Sequence, residues 1–569
     1  MTIFHQMSIV RHTQFRMARL MRLVAWCGLS LVLTAPAGAL AEALPPTGSE
    51  PSAEDTQTLP EGTPATTDAV SASDVNRFDV LEYRVEGNST LARERIEEAV
   101  YPFLGEKKTI DDVQQARAAL EEAYQSAGYL TVFVALPEQQ VEHGVVRLAV
   151  TEGKIERLKV SGSRYYSLGA IKAGAAELEE GRVPNFNTVQ KELVGLNRNA
   201  GRKVTPLLRS GRIPGTIEAE LKVDDQLPLH ATVELNDRYS RDTSKTRLSA
   251  AVRYDNLWQE GHSLNLNVQM APEVPEESRV LVATYVAPLA SGNTLALYGV
   301  KSDTDVTTVG GINSLGKGVI LGLRYILPLR PLPGVFHSLS LGMDYKDYQD
   351  SVLFGSSQDS NLPITYLPFT LGYDLSLVGK KDQTRIGLST VFSLRDVVSD
   401  SAEFDAKRPG ARANFAYLKA DVRHQHAFDS GFILAENVSA QFTDSLLISN
   451  EQMAAGGADT VRGYPESAAL GDRGWRVGLE LSSPSLAGTW APGLNELRLL
   501  GFAEAARLDF LEAAALQQSR FELASVGLGL RFRAAKRVSG ALDYAWPLED
   551  AGGVEAGDGR VHFRLGAEW

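Results

Sequence analysis

The sequence predicts a mainly β protein, in which a sixteen-stranded antiparallel transmembrane β-barrel follows two small α+β units of the order β-α-α-β-β. Three observations predict this fold class. After Gln226, short segments alternate between apolar and polar side chains up to the last residue. The connections between these segments alternate between short and long. Before Gln226, one order of strands and helices occurs twice.

Residues 1–41 have the features of a secretory signal peptide. Four arginines form a basic stretch: Arg11, Arg16, Arg19 and Arg22. An apolar run follows at 23–34, and Ala-x-Ala cleavage sites lie at 37–39 and 39–41. The run is shorter than the ~20 residues that a spanning helix needs, so an uncleaved anchor is the less favoured alternative. The single cysteine, Cys27, lies in this run, and the exported chain is therefore expected to fold without disulfides.

Residues 42–76 are rich in Pro, Thr, Ala, Ser and acidic side chains and have no hydrophobic period. A segment of this composition buries too little apolar surface to offset the entropy that is lost on folding. We therefore expect a disordered linker between the signal peptide and the first folded unit.

The first α+β unit is predicted at residues 77–153. Its expected elements are a strand over 80–85, a helix over 92–104, a helix over 109–128, and strands over 130–135 and 145–150. Thr109 and Asp112 have the spacing of a capping box, which marks the start of the second helix. The apolar positions of that helix fall on one face: Val113, Ala116, Leu120 and Tyr124.

A second, looser copy of this unit is predicted at residues 154–225. Its expected elements are a strand near 158–160, helices from Leu168 and over 187–197, and strands near 204–208 and 216–223. Two copies of one unit favour a tandem array over a single large domain.

The remaining residues, 226–569, are predicted to form the barrel. The sixteen alternating segments begin near residues 229, 247, 262, 278, 293, 317, 337, 362, 383, 413, 431, 473, 496, 521, 537 and 560. In one of them, apolar side chains from Leu339 to Tyr345 alternate with polar ones. In a transmembrane barrel one face of each strand contacts lipid and the other faces the lumen, which produces this period. The last segment alternates in the same way and ends on Trp569.

The lengths of the connections support a membrane barrel. The second, fourth, eighth and fourteenth connections are short, as at 289–292, whereas most odd-numbered ones are longer and polar, as at 303–316. Short turns on one rim and long loops on the other are typical of outer-membrane barrels, which close because hydrocarbon cannot satisfy an open sheet edge. A soluble multi-sheet protein is the alternative, and it is not expected to sort its loop lengths in this way.

Composition and motifs argue against several other function classes. The net charge of -13 lacks the basic footprint of a nucleic-acid binder. The sequence Gly316-Lys317-Gly318 lacks the Ser/Thr and the spacing of a phosphate-binding loop. His424 and His426 share one strand face, but no third metal ligand lies near them in the sequence. We therefore predict no enzyme, no catalytic residue, no metal and no cofactor.

The longest connection, the eleventh, runs from Ser445 to Asp472 and carries the most specific motif. It contains Val461-Arg462-Gly463-Tyr464, followed by Gly471-Asp472. With this motif, the order of two repeats and a barrel resembles the two-partner secretion transporters, the haemolysin secretion/activation family. Members carry two periplasmic polypeptide-transport-associated (POTRA) domains before the barrel, and the resemblance covers about residues 78–569. It implies that this connection folds back into the barrel lumen.

The resemblance also implies a partner for Arg462. The family pairs the motif's arginine with an acidic residue in a pattern that resembles Gly-Phe-x-Asp, and Gly501-Phe502-Ala503-Glu504 matches it with Glu in place of Asp. Alternation directs Phe502 and Glu504 towards the lumen, and a bidentate carboxylate is the natural mate of a buried arginine. A solvated Arg462 is the alternative. The resemblance further implies that the last strand, with Phe563 and Trp569, is the barrel assembly signal.

The resemblance implies a translocator in the outer membrane of a Gram-negative bacterium, with its POTRA domains in the periplasm. It would capture an unfolded exoprotein of the haemolysin or adhesin type and pass it through the barrel without ATP. The expected partners are this large secreted client, periplasmic chaperones, the barrel assembly machinery and outer-membrane lipid, with no nucleic acid and a monomeric transporter. An outer-membrane protein assembly factor and a plain channel are the alternatives. Family members often have an N-terminal plug helix, but residues 42–76 show no amphipathic period.

Overall fold

The computed structural model describes residues 77–569 except 198–200, 242, 305, 310–311, 316, 350–362, 399, 492 and 514–516. The predicted signal peptide and linker, and any plug helix, lie outside the described residues. The described chain divides into two units between Leu227 and Pro228. In the part of the chain that is described, no helix is long and apolar enough to cross a membrane.

The N-terminal unit begins with a small α+β fold. Its strands are β1 (Phe78–Val80), β2 (Glu82–Glu86), β3 (Gly105–Lys108), β4 (Val132–Ala135) and β5 (Val145–Glu152); its helices are Arg93–Val100 and Ile110–Ser126, with a 3-10 helix at Tyr101–Phe103. Strand β5 pairs in parallel with β2 and antiparallel with β4, while β1 pairs with β3. The capping box predicted at Thr109 and Asp112 is confirmed.

The local elements of this fold differ from the prediction in two places. The helix expected over 92–104 ends at Val100, because Pro102 lacks the backbone N–H that the next α-helical hydrogen bond needs, and the chain continues as a 3-10 helix. The sequence prediction also missed β3, whose residues Glu106, Lys107 and Lys108 are charged and show no apolar alternation. This strand forms through backbone pairing with β1.

The second copy repeats the three-stranded sheet of the first. Its strands are β6 (Lys154–Ser161), β7 (Arg202–Ser210) and β8 (Thr216–Asp225); its helices are Leu168–Ala173 and Phe186–Leu196, with a 3-10 helix at Ala176–Leu178. Strand β8 pairs in parallel with β6 and antiparallel with β7, as β5 does with β2 and β4. Its core includes Ile155, Ile171, Leu178 and Leu221.

The two copies are joined by hydrogen bonds as well as by the chain. Gly153 alone separates β5 from β6, and a Cβ there would lie 2.5 Å from the carbonyl oxygen of Thr131. The Asn185 Nδ2 donates to the Ala127 oxygen at 2.9 Å, and the Phe186 N–H donates to a backbone oxygen of the first copy at 2.8 Å. These bonds fix the start of the helix Phe186–Leu196 against the first copy.

The second unit is an antiparallel barrel that closes through sixteen strands of the described chain. The strands are β9 (Leu229–Asn236), β10 (Arg247–Leu257), β11 (His262–Met270), β12 (Arg279–Pro288), β13 (Thr294–Ser302), β16 (Gly318–Pro328), β17 (Val335–Tyr348), β18 (Ile364–Tyr366) with β19 (Pro368–Val378), β20 (Asp382–Ser393), β21 (Ala416–Ala427), β22 (Ile433–Phe442), β25 (Arg473–Ser482), β26 (Leu494–Asp509), β27 (Arg520–Ala534), β28 (Val538–Pro547) and β29 (Arg560–Glu568). Strands β18 and β19 count as one, because both pair with β17 on either side of Leu367. Pairing of β29 with β9 closes the cylinder, which confirms the predicted fold class.

Two connections of the barrel carry hairpins of their own. They are β14 (Val306–Val309) with β15 (Ile312–Leu315) in the fifth connection, and β23 (Met453–Ala455) with β24 (Ala469–Gly471) in the eleventh. Helices lie at Ser401–Lys407 and Ala487–Trp490, and a 3-10 helix lies at Ser449–Glu451.

The barrel wall shows the predicted alternation. On β17 the outward-facing Leu341 is 52% exposed, whereas the inward-facing Asp344 is 6% exposed. An outer face of exposed leucines would be costly in water and is stable in lipid. The polar side chains of the inner face are therefore the ones available to bind a loop or a passing chain.

Candidate functional site

Residues 443–472, which connect β22 to β25, fold back inside the barrel, and we call them the lumen loop. They include the 3-10 helix Ser449–Glu451 and the hairpin of β23 and β24. The motif side chains Val461 and Tyr464 are fully buried. Several inward-facing side chains of the wall contact the loop, so the loop occupies the lumen instead of extending from the rim.

Arg462 is the centre of a buried ionic network. Its Nε and Nη2 lie 2.8 and 2.6 Å from Oε1 of Glu504, and its backbone N–H donates to Oε2 at 2.6 Å. Its Nη1 lies 3.2 Å from Glu480 Oε2 and 3.2 Å from Asp543 Oδ2. The guanidinium stacks 3.4 Å from the ring centroid of Phe502, a cation–π contact. The structure thus brings together Arg462, Phe502 and Glu504, the three residues that the sequence singled out.

A second arginine, Arg531, pairs with two of the three carboxylates around Arg462. The Nη1 and Nη2 of Arg531 donate to the two oxygens of Asp543 at 2.5 and 3.0 Å, and Nη2 lies 3.6 Å from Glu480. Burial alone would lower the pKa of Arg462, but Glu504, Asp543 and Glu480 outweigh burial and raise this pKa above its ordinary value. Arg462 is therefore charged, and these three carboxylates offset the cost of burying its charge.

Sequence reasoning missed Glu480, Asp543 and Arg531. Strand alternation indicates that each of them faces the lumen, and that was the one signal available. The path of the lumen loop and the stagger of distant strands decide which inward-facing side chains contact one another. Neither can be predicted from the local sequence.

The next two motif residues attach to the last strands and to the seam of the barrel. Gly463 has φ 96°, a region that favours glycine, and its N–H donates to Nε2 of His562 at 2.9 Å. The Nδ1 of His562 lies 2.9 Å from Oδ2 of Asp237, which follows β9. The Tyr464 hydroxyl lies 2.8 Å from the backbone oxygen of Glu549. The motif thus contacts the closing strand β29 directly, and His562 links it to Asp237 beside β9.

Asp472 ends the lumen loop and joins three long connections. It is fully buried, and both of its oxygens accept hydrogen bonds from Arg408 of the ninth connection, one of them at 2.9 Å. The N–H of Leu511, in the thirteenth connection, donates to Asp472 at 2.7 Å. Before it, Gly471 packs against β26, where a Cβ would lie 2.8 Å from the Leu508 Cβ. Sequence reasoning placed Asp472 after the motif but missed Arg408.

The two residues of the expected assembly signal lie on the closing strand. Phe563 is half-buried and pairs with Leu542 of β28. Trp569 has a side chain that is 59% exposed, and its backbone N–H donates to the Ala231 oxygen at 2.9 Å. The terminal residue thus extends the pairing of β29 with β9.

The described residues hold no group of three or more His, Cys, Asp or Glu side chains that is placed to bind a metal ion. The two histidines considered from the sequence have other contacts. His426 Nδ1 lies 2.5 Å from Asp382, and His424 Nδ1 lies 2.8 Å from the hydroxyl of Thr384.

Two family models match the chain. Residues 78–153 match the POTRA domain of the ShlB type. Residues 371–532, which include the lumen loop and its partners on β25 and β26, match the haemolysin secretion/activation protein ShlB/FhaC/HecB.

Curated relatives match over most of the chain. The heme/hemopexin transporter protein HuxB of Haemophilus influenzae (strain 86-028NP) is 20% identical over 481 residues, which cover 81% of this chain and 82% of the relative. The outer membrane transporter CdiB of Dickeya dadantii (strain 3937) is 22% identical over 419 residues, which cover 70% and 71%.

Solved structures share the fold. CdiB from Escherichia coli superposes with a TM-score of 0.57 at 18% identity and covers 89% of this chain and 93% of its own. BamA from Haemophilus ducreyi lacking POTRA domains 1-3 has a TM-score of 0.52 at 13% identity, with 86% and 100% covered.

Fold and site together define an outer-membrane transporter built from a POTRA domain and a sixteen-stranded barrel with a loop in its lumen. The relatives narrow this class. Residues 371–532 match the haemolysin secretion/activation family, and the relatives that match most of the chain are transporters, among them the outer membrane transporter CdiB.

Proposed function

We propose that this chain captures an unfolded exoprotein of the haemolysin or adhesin type in the periplasm, passes it through the barrel and releases it at the cell surface without ATP. The lumen loop is the observation that carries the proposal. It lies in the path of a polypeptide, and side-chain hydrogen bonds and ion pairs, which can break and re-form, fix its motif to the wall. A client chain needs this loop to shift.

Capture is assigned to the two α+β copies. The sheet orders β2-β5-β4 and β6-β8-β7 leave β2, β4, β6 and β7 as edge strands. An extended chain can add to such an edge through backbone hydrogen bonds, with specificity from neighbouring side chains. Phe133 on β4 is 64% exposed and Leu207 on β7 is 38% exposed, which provides apolar contacts beside the edges.

The direction of transport follows from folding free energy. A client that folds outside the cell cannot return through the lumen as an unfolded chain, so folding outside makes passage irreversible. In this mechanism Arg462 and Glu504 hold the resting position of the lumen loop, and no catalytic step is involved. The transporter acts as a monomer.

Assembly of the transporter itself is assigned to periplasmic chaperones and the barrel assembly machinery, which would recognise the last strand with Phe563 and Trp569. Trp569 continues the pairing of the closing strand with β9. Before the barrel closes, this end of the strand would be unpaired and therefore open to recognition by the assembly machinery. Deletion of Trp569 is expected to reduce the amount of heat-modifiable barrel in the outer membrane. A normal amount would contradict this role.

The main test is co-expression with a large exported protein encoded beside this chain, followed by measurement of that protein in the medium. Deletion of residues 78–225 is expected to abolish its release, while the barrel still shifts on a gel after heating. Full-length chain at equal abundance is the control. Release at the control level, with channel conductance intact, would contradict the proposal and favour a plain channel.

A further inference from the structure

A second buried carboxylate, Glu451, lies at the start of the lumen loop. Its side chain is 1% exposed. Its Oε1 accepts hydrogen bonds from Lys346 Nζ at 2.6 Å and from the Tyr366 hydroxyl at 2.5 Å, and its Oε2 accepts one from the Tyr417 hydroxyl at 2.6 Å. The secretion mechanism above does not use this cluster.

The donors to Glu451 come from a different arc of the wall than the partners of Arg462. Lys346, Tyr366 and Tyr417 lie on β17, β18 and β21, whereas Glu480, Glu504 and Asp543 lie on β25, β26 and β28. A residue of β22 adds to the first arc, because the Gln441 amide donates to the backbone oxygen of Glu451 at 3.1 Å. The two anchors therefore share no wall residue.

Glu451 is also shielded from water by aromatic rings. Tyr366, which binds it, packs edge-on against Phe404 at 5.5 Å and Phe415 at 6.2 Å between ring centroids. Both phenylalanines are buried and belong to the ninth connection. Hydrogen bonds to a charged group are stronger where water is excluded, and loss of one partner leaves the other charge buried and unpaired.

We propose that Glu451 is a second positioning residue of the lumen loop, which fixes the loop to the β17–β22 arc independently of Arg462, so that the loop leaves its resting place only when both anchors open. This inference rests on the proposed function in one respect: it takes the lumen loop as the part that moves.

The test measures the loop in purified full-length protein without a client. The single cysteine, Cys27, belongs to the predicted signal peptide, so Ala458→Cys gives one labelling site in the loop of the exported chain. Spin-label mobility at this site and the conducting fraction in planar bilayers are compared for wild type, Glu451→Gln, Arg462→Ala and the double variant. Asp444→Asn removes an exposed carboxylate from the same loop and is the matched control.

Glu451→Gln is expected to raise the conducting fraction and the mobile fraction about tenfold, since a buried charged hydrogen bond is worth that factor or more. The double variant is expected to show the product of the two single effects, because independent sites are additive in free energy. Tyr417→Phe keeps the ring, removes one donor, and is expected to shift both readouts in the same direction by less.

Wild-type readouts for Glu451→Gln and Tyr417→Phe would overturn the proposal, and so would a double variant equal to Arg462→Ala alone. Heat-modifiable migration on a gel shows that each barrel is intact. Should both anchors release the loop while secretion is unaffected, the proposed function fails and the role of Glu451 as an anchor stands.

Discussion

The first α+β copy and the lumen loop differ in the contacts that hold them in place. The copy is built around fully buried apolar side chains such as Leu120 and Leu148. The loop also packs apolar side chains such as Val461 against the wall, but its motif is fixed by buried charges, with Arg462 among Glu480, Glu504 and Asp543. Apolar burial adds stability without fixing an exact position, whereas a buried ion pair adds little net stability but is costly to break on one side. The first copy is thus expected to stay folded throughout transport. The loop is expected to keep one position until the partners of its charges are displaced.

Removing the charge at the centre of the network is the strongest test of this contrast. Arg462→Ala leaves Glu504 buried without its main partner, which is expected to destabilise the docked loop by about 3–5 kcal/mol. Secretion should fall while the amount of heat-modifiable barrel stays normal, since the wall pairing is unchanged. Arg473→Ala, at a half-exposed arginine that follows the loop, is the control. Wild-type export by Arg462→Ala at equal abundance would remove the loop from the mechanism.

A cavity in the apolar core tests the other side of the comparison. Leu120→Ala is expected to cost about 2–5 kcal/mol, a large share of the stability of a small domain. Limited proteolysis of the full chain in membranes should then cut the first copy and leave the barrel intact. Leu81→Ala, at a leucine that is 65% exposed, should digest like wild type. Equal resistance of Leu120→Ala would show that this core does not hold the copy together.

The smallest expected effect is a pH dependence of the loop. Partial burial, with Asp459 nearby, raises the pKa of Glu466 to about 7, although Arg238 acts in the opposite direction. A raised pKa means that the docked loop keeps a proton that a released loop gives up. Docking is therefore strongest below the ordinary pKa of 4.5 and weakens as the pH rises to about 7.

Spin-label mobility at Ala458→Cys, followed from pH 5 to pH 8, checks this trend. Mobility should rise with pH in the otherwise wild-type chain, and Glu466→Gln, which cannot ionise, should show a flat profile. Equal slopes for the two proteins would mean that another group is responsible.

Local features of the sequence predicted the local features of the fold. Thr109 and Asp112 are three residues apart, so their capping box could be read directly. Strand alternation predicted the barrel because lipid on one side imposes the period along each strand. The pairing of Arg462 with Glu504 came from a motif; without it, Arg462 would have been one charge of a long loop and Glu504 one of many inward-facing charges of the wall.

The other partners could not be predicted for a physical reason. Arg462 and Asp543 are 81 positions apart, and Lys346 and Glu451 are 105 apart. Contacts at such separations depend on how the barrel closes and on where the loop crosses the lumen. No hydrophobic period or residue spacing in the sequence predicts the closure of the barrel or the path of the loop.

A reversible lock on the lumen loop tests the central claim most directly. Residues 240 and 466 form an isolated β-bridge, so Ser240→Cys with Glu466→Cys places two thiols within reach of a disulfide in an exported chain that is expected to have no other cysteine. Release of the exoprotein should stop when the pair is oxidised and resume after reduction, while each single variant secretes normally. Undiminished release from fully cross-linked protein would contradict a mechanism in which the loop must move.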